Sequence, residues 1–488
     1  MQITNLLLWT ACIPICSALL LLLIPGSYFN LIRNIAFISA QLTFVCSILL
    51  WLCFESKTSL FQFIYTVNWF PSYNIYYTIG IDGISLFFIV LTTWLITTCI
   101  LISWNMPNNQ IKEYLICFLV LESILIQVFS VLDVFFFYVF FESVLIPMFL
   151  IIGIWGSRER KIRAAYQFFI YTLAGSLLML LGILVIYFQH GTTDIQILWN
   201  VHFDIRTQIL LWLAFFASLA VKIPMIPFHI WLPEAHAEAP TAGSVILAGV
   251  LLKMGGYGFL RFSLPLFPEA SLYFAPLIYL LSIIAAVYAS LTTIRQIDLK
   301  KIIAYSSVSH MGFVTLGLFS FNTQGVEGSI ILMLSHGLVS SALFLCIGIL
   351  YDRHQTRLLK YYGGLVQVMP VFSLLFLFFT FSNIGFPGTS SFVGELLVLI
   401  GLFQFSPIST FLSAFSIILG AGYSIWLFNR ICFGSLKLQY IINFQDISRR
   451  EFCILFPLSV FILWMGIYPE VFLKVIHCSS YNLIGYFY

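Results

Sequence analysis

Six ionisable side chains interrupt long runs of aliphatic and aromatic residues. Glu142 lies in FFFYVFFESVLIPMF, Lys222 in AVKIPMIPF, Lys253 in GVLLKMGGYG, His310 in SSVSHMG, His336 in LMLSHGL and Glu395 in SFVGELLV. A charge at bilayer depth costs roughly 2.5–3.5 kcal/mol on insertion scales, so such residues face protein or water and mark a path for ions or protons. A buried carboxylate such as Glu142 needs a cation or must be neutral. Lys222 and Lys253 are the lysines deep enough to serve, and a Glu142–Lys222 pair is the favoured use. The competing reading makes Glu142 a neutral acid bonded to a neighbouring helix. It leaves Lys222 to bond carbonyls freed by the prolines after it.

Lys253 has glycines on its C-terminal side and no acid nearby in sequence. A desolvated lysine can give up its proton near neutrality. His310 and His336 stand on successive spans among Ser306, Ser307, Ser309 and Ser335, an arrangement able to relay protons. A single such histidine would be an ordinary core residue. Glu395 is the only acid between Asp352 and Asp446. Two further carboxylates are possible members. Glu122, in LVLESILIQVF, could face Glu142 across the bundle. Asp133 precedes Glu142 by nine residues, roughly 13 Å along a helix and about 180° round it. A helix cap suits Asp133 as well as a proton path does.

Other clusters read differently. His229, Glu234, His236 and Glu238 invite a metal, but prolines between them destroy any helical register and no HExxH pattern is present. No metal site is expected. Asp82, in GIDGIS, caps the third span or bonds a loop. RERKIR (158–163) reads as a topology determinant, and Asp298 with Lys300 and Lys301 as a solvated loop. There is no GxGxxG, P-loop, GxSxG or quinone-binding signature, so redox chemistry within this chain is not expected.

These residues need helices to hold them. Apolar runs of spanning length fall at about 5–25, 31–54, 84–104, 114–131, 133–154, 166–188, 208–225, 240–262, 272–293, 302–320, 328–350, 370–403, 408–429 and 452–472, each near the ~20 residues a crossing requires. The chain is thus expected to be an all-α polytopic membrane protein of about 14 transmembrane helices. Hydrophobic residues make up 61% of its 488 and charged ones 8%, at a mean hydropathy of +1.02, which excludes a soluble core. A net charge of +3 with no basic arm argues against nucleic acid. The ten cysteines show no CxxC and read as small core residues. With the N-terminus outside, sixteen of the 22 Lys and Arg fall in inside loops and helix ends, and four, Lys57, Arg206, Arg261 and Lys474, outside. The N-terminal run lacks a basic leader and reads as a retained first helix.

The seventh and twelfth spans are broken, the first by KIPMIPFHIWLP and the second by SNIGFPGTSSFVGE. Such backbone is tolerated only where protein or a watery cavity surrounds it. Two breaks five spans apart are the trace of two inverted five-helix repeats. The expected organisation is one membrane domain, 1–488, with N-terminal helices in 1–111, repeats in 112–262 and 263–430, and a last helix in 431–488.

With GIDGISLFF, FFESVLIPMF, AVKIPMIPFHIWLPEAHAEAPTAG, RQIDLKKIIAYSSVSHMG, LSHGLVSSALF and GTSSFVGE in view, the chain resembles the antiporter-like proton-channel subunits of respiratory complex I. The resemblance covers nearly its whole length. It implies fourteen helices with inverted repeats. Glu142 and Lys222 would be the ion pair, Lys253 the central lysine, His310 and His336 the connecting histidines and Glu395 the exit residue. Sibling subunits and cation/proton antiporter relatives carry lysine at that last place. The resemblance further implies a mitochondrial inner-membrane location with the basic loops in the matrix. Homologous membrane-arm subunits would lie on both sides, with lipid contacts that include cardiolipin, and no homo-oligomer is expected. No cofactor is expected on this chain, since NADH, FMN, iron–sulfur clusters and ubiquinone would belong to other subunits. The rival readings are a subunit of a stand-alone cation/proton antiporter and a membrane scaffold.

Overall fold

The computed structural model describes residues 5–106, 110–437 and 445–487. Along them run α1 (Leu6–Leu23), α2 (Phe29–Leu52), α3 (Gly83–Ile102), α4 (Ile111–Ser130), α5 (Val134–Trp155), α6 (Lys161–His190) and a divided α7 (Ile205–Lys222 and Trp231–Glu238). Then come α8 (Thr241–Leu266), α9 (Pro268–Arg295), α10 (Leu299–Leu318), α11 (Thr323–His354) and a divided α12 (Pro370–Ile384 and Ser390–Phe405). Last are α13 (Pro407–Cys432), α14 (Arg449–Ile467) and α15 (Glu470–Ile484). Among the described residues, twelve helices are long and apolar enough to cross a membrane. The remaining two expected spans are α10, which carries two lysines, and α12, whose halves have 15 and 16 residues.

One element departs from the all-α expectation. Between α2 and α3, β1 (Gln62–Phe70) and β2 (Ile75–Ile81) form an antiparallel hairpin that turns at Asn74 in the left-handed region. QFIYTVNWF and IYYTIGI are rich in β-branched and aromatic residues, which suit a pleated surface. They lie in what hydropathy alone marks as a linker.

The chain forms two compact units. The first holds residues up to Ile223, then Val250–Ala275 and the residues from Lys474 on; the second holds Pro224–Gly249 and Pro276–Leu473. The first of the four points where the chain leaves one unit for the other lies inside the break of α7. In the first unit α1 packs on α2 and α4, α2 on α3, and both α6 and α8 on the first half of α7. In the second unit α10 and the second half of α12 pack on α11, and the second half of α7 packs on α10.

The breaks have local causes. Pro224 and Pro227 have no amide hydrogen to offer, so the α7 ladder stops at Lys222. In α12, Gly385 and Gly388 take φ of +81° and +92°, a region L side chains avoid. Hydroxyls replace the lost bonds there: Ser391 donates to the Ser382 carbonyl, and Thr389 to that of Phe386 at 2.7 Å. The fifth span is not one continuous helix either. Its ladder is interrupted at Val144, one turn before Pro147, whose missing amide leaves the Ser143 carbonyl without its helical donor.

Candidate functional site

In the first unit, Lys222 is the last residue before the break in α7. Its ammonium is 2% exposed, sits 4.4 Å from the centre of the Phe141 ring, and has no hydrogen-bond partner among the described residues. The next residue, Glu142, is half-buried, and its carboxylate and the Lys222 ammonium act on one another electrostatically without a direct hydrogen bond. A lysine over an aromatic face with a carboxylate beyond it is held by attractions that a small movement can remake.

Lys253 is wholly buried on α8, with π-helical turns on either side of it at Leu247–Leu251 and Phe259–Ser263. Such turns inside a helix recur at functional sites. Two residues on, a Cβ at Gly255 would lie 2.6 Å from the Ile223 side chain and 3.0 Å from the Leu219 carbonyl. The glycine therefore lets α8 lie directly against the helix that ends in Lys222. That close approach is how the sequence brings two lysine-bearing segments together.

In the second unit, the His310 and His336 rings are 5.7 Å apart, and His310 Nδ1 is 3.3 Å from Glu395 Oε1. His310 Nε2 is buried with no partner among the described residues. Glu395 is 6% exposed, and the next atoms beyond it belong to the α12 break, because a Cβ on Gly385 would fall 2.5 Å from its Oε2. Tyr423 of α13 is buried beside Glu395, with Asn383, Ser306 and Ser424 as its polar neighbours. The result is a line of groups able to take and give protons: His336, His310, Glu395 and Tyr423.

The two possible carboxylates take structural positions. Asp133 caps α5, accepting from the amides of Phe135 and Phe136 at 2.8 and 3.1 Å and from the Thr193 hydroxyl at 2.6 Å. Glu122 is fully buried, and its Oε1 accepts from Thr43 of α2 at 2.6 Å. Its bond turns it toward α2.

Three groups escaped the sequence reading. Arg261 is no outer-loop residue. It is 4% exposed and meets Asp82 in a two-point ion pair at 2.6 and 3.1 Å. Its Nε donates to the Tyr257 hydroxyl, which donates to the Phe129 carbonyl at 3.0 Å. Asp82 also caps α3 through a capping box with Ser85. Burial works against the Asp82 carboxylate, yet Arg261 and the Ser85 bonds hold it below its ordinary range. Lys300 is likewise not solvated, nor is Asp298. Lys300 donates to the Ala239 carbonyl at 2.7 Å and Arg357 to that of Ala237, so two cations close the C-terminal end of Trp231–Glu238. Lys301 pairs with Glu234 at 2.5 Å. Tyr423 carries no signal in sequence beyond a hydroxyl in an apolar run.

The four residues that invite a metal in the sequence have other neighbours in the structure. Glu234 is held by Lys301, the His236 ring stacks on Phe344 at 4.6 Å, and His229 lies against Tyr288 and Tyr305. Among the described residues no group of three or more His, Cys, Asp or Glu is placed to hold a metal ion.

Residues 131–420 match the family model described as NADH:quinone oxidoreductase/Mrp antiporter, TM. The chain is 68% identical to NADH-ubiquinone oxidoreductase chain 4 of Chondrus crispus, over 99% of this chain and 98% of the relative. It is 60% identical to the protein of that description from Arabidopsis thaliana, over 96% and 95%. A chain in the solved respiratory complex I from Thermus thermophilus with bound NADH superposes with a TM-score of 0.89, at 29% identity over the full length of both. A chain of the Mrp complex from a Dietzia species superposes at 0.87 and 20% identity, over 99% of this chain and 98% of that one, a likeness of fold alone.

Proposed function

Because the chain belongs to the NADH:quinone oxidoreductase/Mrp antiporter transmembrane family, we infer that it is a proton-translocating subunit of the membrane arm of respiratory complex I. It serves NADH:ubiquinone reductase as a multi-pass inner-membrane subunit. Electron transfer, with its NADH, FMN, iron–sulfur clusters and ubiquinone, belongs to other subunits. The observation that carries the role of this chain is that each unit owns a cluster of buried ionisable groups beside a broken helix. Glu142 and Lys222, with Lys253 on the helix packed against the end of α7, make the first; His336, His310 and Glu395 make the second.

The proposed cycle is charge-coupled. In one state Glu142 holds Lys222, and Lys253 keeps its proton. When an event in the adjoining subunit draws Lys222 toward Lys253, repulsion expels the Lys253 proton, which leaves by way of the histidines and Glu395. Moving one charge against ~180 mV requires roughly 4 kcal/mol. Two like charges about 4 Å apart at an effective dielectric of about 20 repel by about 4 kcal/mol. The two magnitudes match, so one displaced lysine is enough for one proton. Asp133 and Glu122 stand at the margins of this path. The inverted repeats 112–262 and 263–430, matrix-facing basic loops, homologous subunits on both sides and a lipid annulus complete the reading.

A second reading, a stand-alone cation/proton antiporter, is disfavoured by Glu395, since the resemblance gives those relatives lysine there. The test is proton translocation per NADH oxidised, in vesicles holding the assembled complex with Glu142→Gln. Assembly with collapsed coupling supports the pump. Assembly with unchanged turnover and stoichiometry makes the chain a scaffold.

A further inference from the structure

Lys253, Tyr257 and Arg261 follow one another at intervals of four along α8, so they rise on one side of it. Eight residues, roughly 12 Å of helix, separate the lysine from the arginine. On the topology proposed above, the Arg261 end of α8 faces outward. A proton held on Lys253 therefore has a short way out along its own helix. The proposed cycle needs that way shut, because the proton is to leave through the histidines instead.

Three features shut it. The Tyr257 hydroxyl accepts from Arg261 Nε at 3.1 Å and donates to the Phe129 carbonyl at 3.0 Å, so its one hydrogen is committed. Arg261 holds its own protons throughout and cannot hand one on. Its guanidinium is wedged among the rings of Phe61, Tyr257 and Trp199, whose centres are 4.9, 5.2 and 5.9 Å away. Asp82 takes Nη1 and Nη2, which leaves the Nε edge turned toward Tyr257.

Beside the pair lies a cavity of about 20 Å³, lined by Ser59, Asp82, Trp199, Arg261, Ser479 and Asn482 among others. It has room for a water. Trp199 Nε1 is buried and has no partner among the described residues, and a water there satisfies it. Asn482 on the rim is exposed and Ser59 is half-buried, so the cavity reaches toward the surface. Arg261 thus stands between a wet pocket on one side and Tyr257 on the other.

We propose that Arg261 is an insulator. It is a fixed cation that keeps outside protons from Lys253 and keeps the Lys253 proton from leaving outward. A fixed arginine that bars protons from a pore works in this way. The proposal rests on Lys253 carrying a translocated proton.

The passive decay of an imposed pH gradient, in vesicles holding the whole complex without NADH, tests it. Arg261→Gln is expected to speed that decay about 30-fold, the factor for a unit charge about 8 Å away at an effective dielectric of about 20. Asp82→Asn with Arg261→Gln leaves no buried charge unpaired and is expected to leak as well. Asp82→Asn alone retains the guanidinium and stays tight. Adding Lys253→Met to the leaking double variant closes the leak, which mere loosening of the fold would not do. Tight vesicles in both Arg261 variants, with the complex assembled, overturn the proposal. So does a leak confined to the single variant, the sign of a folding defect, and so does one that survives Lys253→Met. Pumping that persists with Lys253→Met as the only change would instead fault the cycle itself, a failure the leak assay does not share.

Discussion

His310 Nδ1 stands 3.3 Å from Glu395 Oε1, so α10 and α12 meet through a pair that is ionic only while the imidazole carries a proton. Charge holds the pair while the imidazole is protonated and the carboxyl is not, and the loss of the imidazole proton loosens it. Glu395→Gln keeps the shape and removes the base. It is expected to slow proton release about 100-fold, the low end of what a positioned proton-transfer group contributes. Proton translocation per NADH should fall while the complex still assembles, and His310→Ala should do the same. Unchanged stoichiometry in both would remove the pair from the path.

Gly385 sets where that carboxylate can be. At φ +81°, an L side chain costs about 1–2 kcal/mol. The new methyl would also fall 2.5 Å from Glu395 Oε2 and push it aside. Gly385→Ala should thus lower thermal stability modestly and proton translocation severely. Gly388→Ala, with nothing within 4 Å of the added carbon, should show the strain without the functional loss.

Glu142 and Lys222 differ in burial, and that difference separates a pump from a packing device. Removing Glu142 leaves a buried ammonium without its counter-charge, at about 1–3 kcal/mol. The double change Glu142→Gln with Lys222→Met should recover that stability, because an apolar replacement leaves nothing uncompensated. Translocation should stay low in the single and the double variants alike. Recovery of both together would reduce the pair to structure.

Asp82 and Arg261 form the opposite case. Breaking a buried pair by removing one partner costs about 3–5 kcal/mol. Asp82→Asn should lower the melting temperature of the complex without changing protons per NADH in what survives. The folded carboxyl is held below its ordinary value of about 3.9. Its contribution is therefore fully present above about pH 4 and is lost as pH falls through the lower, folded value. Unfolding traces of the native and Asp82→Asn proteins should diverge at neutral pH and converge only in strong acid.

Much of this arrangement is legible in the sequence for one reason: charge inside an apolar run is costly, and each such residue advertises itself. Lys222, Lys253 and Glu395 stand out in that way, as do the prolines and glycines that divide α7 and α12. Residues near the ends of helices are ambiguous. Arg261 follows a glycine-rich run and looks like the edge of a loop, because its partner Asp82 is 179 positions away. Lys300 and Arg357 look solvated because the carbonyls they close, Ala239 and Ala237, belong to another stretch of chain. Tyr423 is polar only at its tip and gives hydropathy nothing to register. The β1–β2 hairpin fails to show because the spanning-helix pattern is what so apolar a chain leads one to seek.

The first unit also has a timetable. Beside Asp82, the Gly83 amide donates to the Ser479 hydroxyl at 3.1 Å, across 396 positions, and the Val475 carbonyl lies so close that a Cβ there would meet it at 2.0 Å. At about 5–20 residues per second, a ribosome needs roughly 20–80 s to go from one partner to the other. Through that interval the head of α3 is already made while the segment that seats it is not. Even the Arg261 neutralising Asp82 emerges nearly halfway through. The earliest-made unit is thus among the last to close.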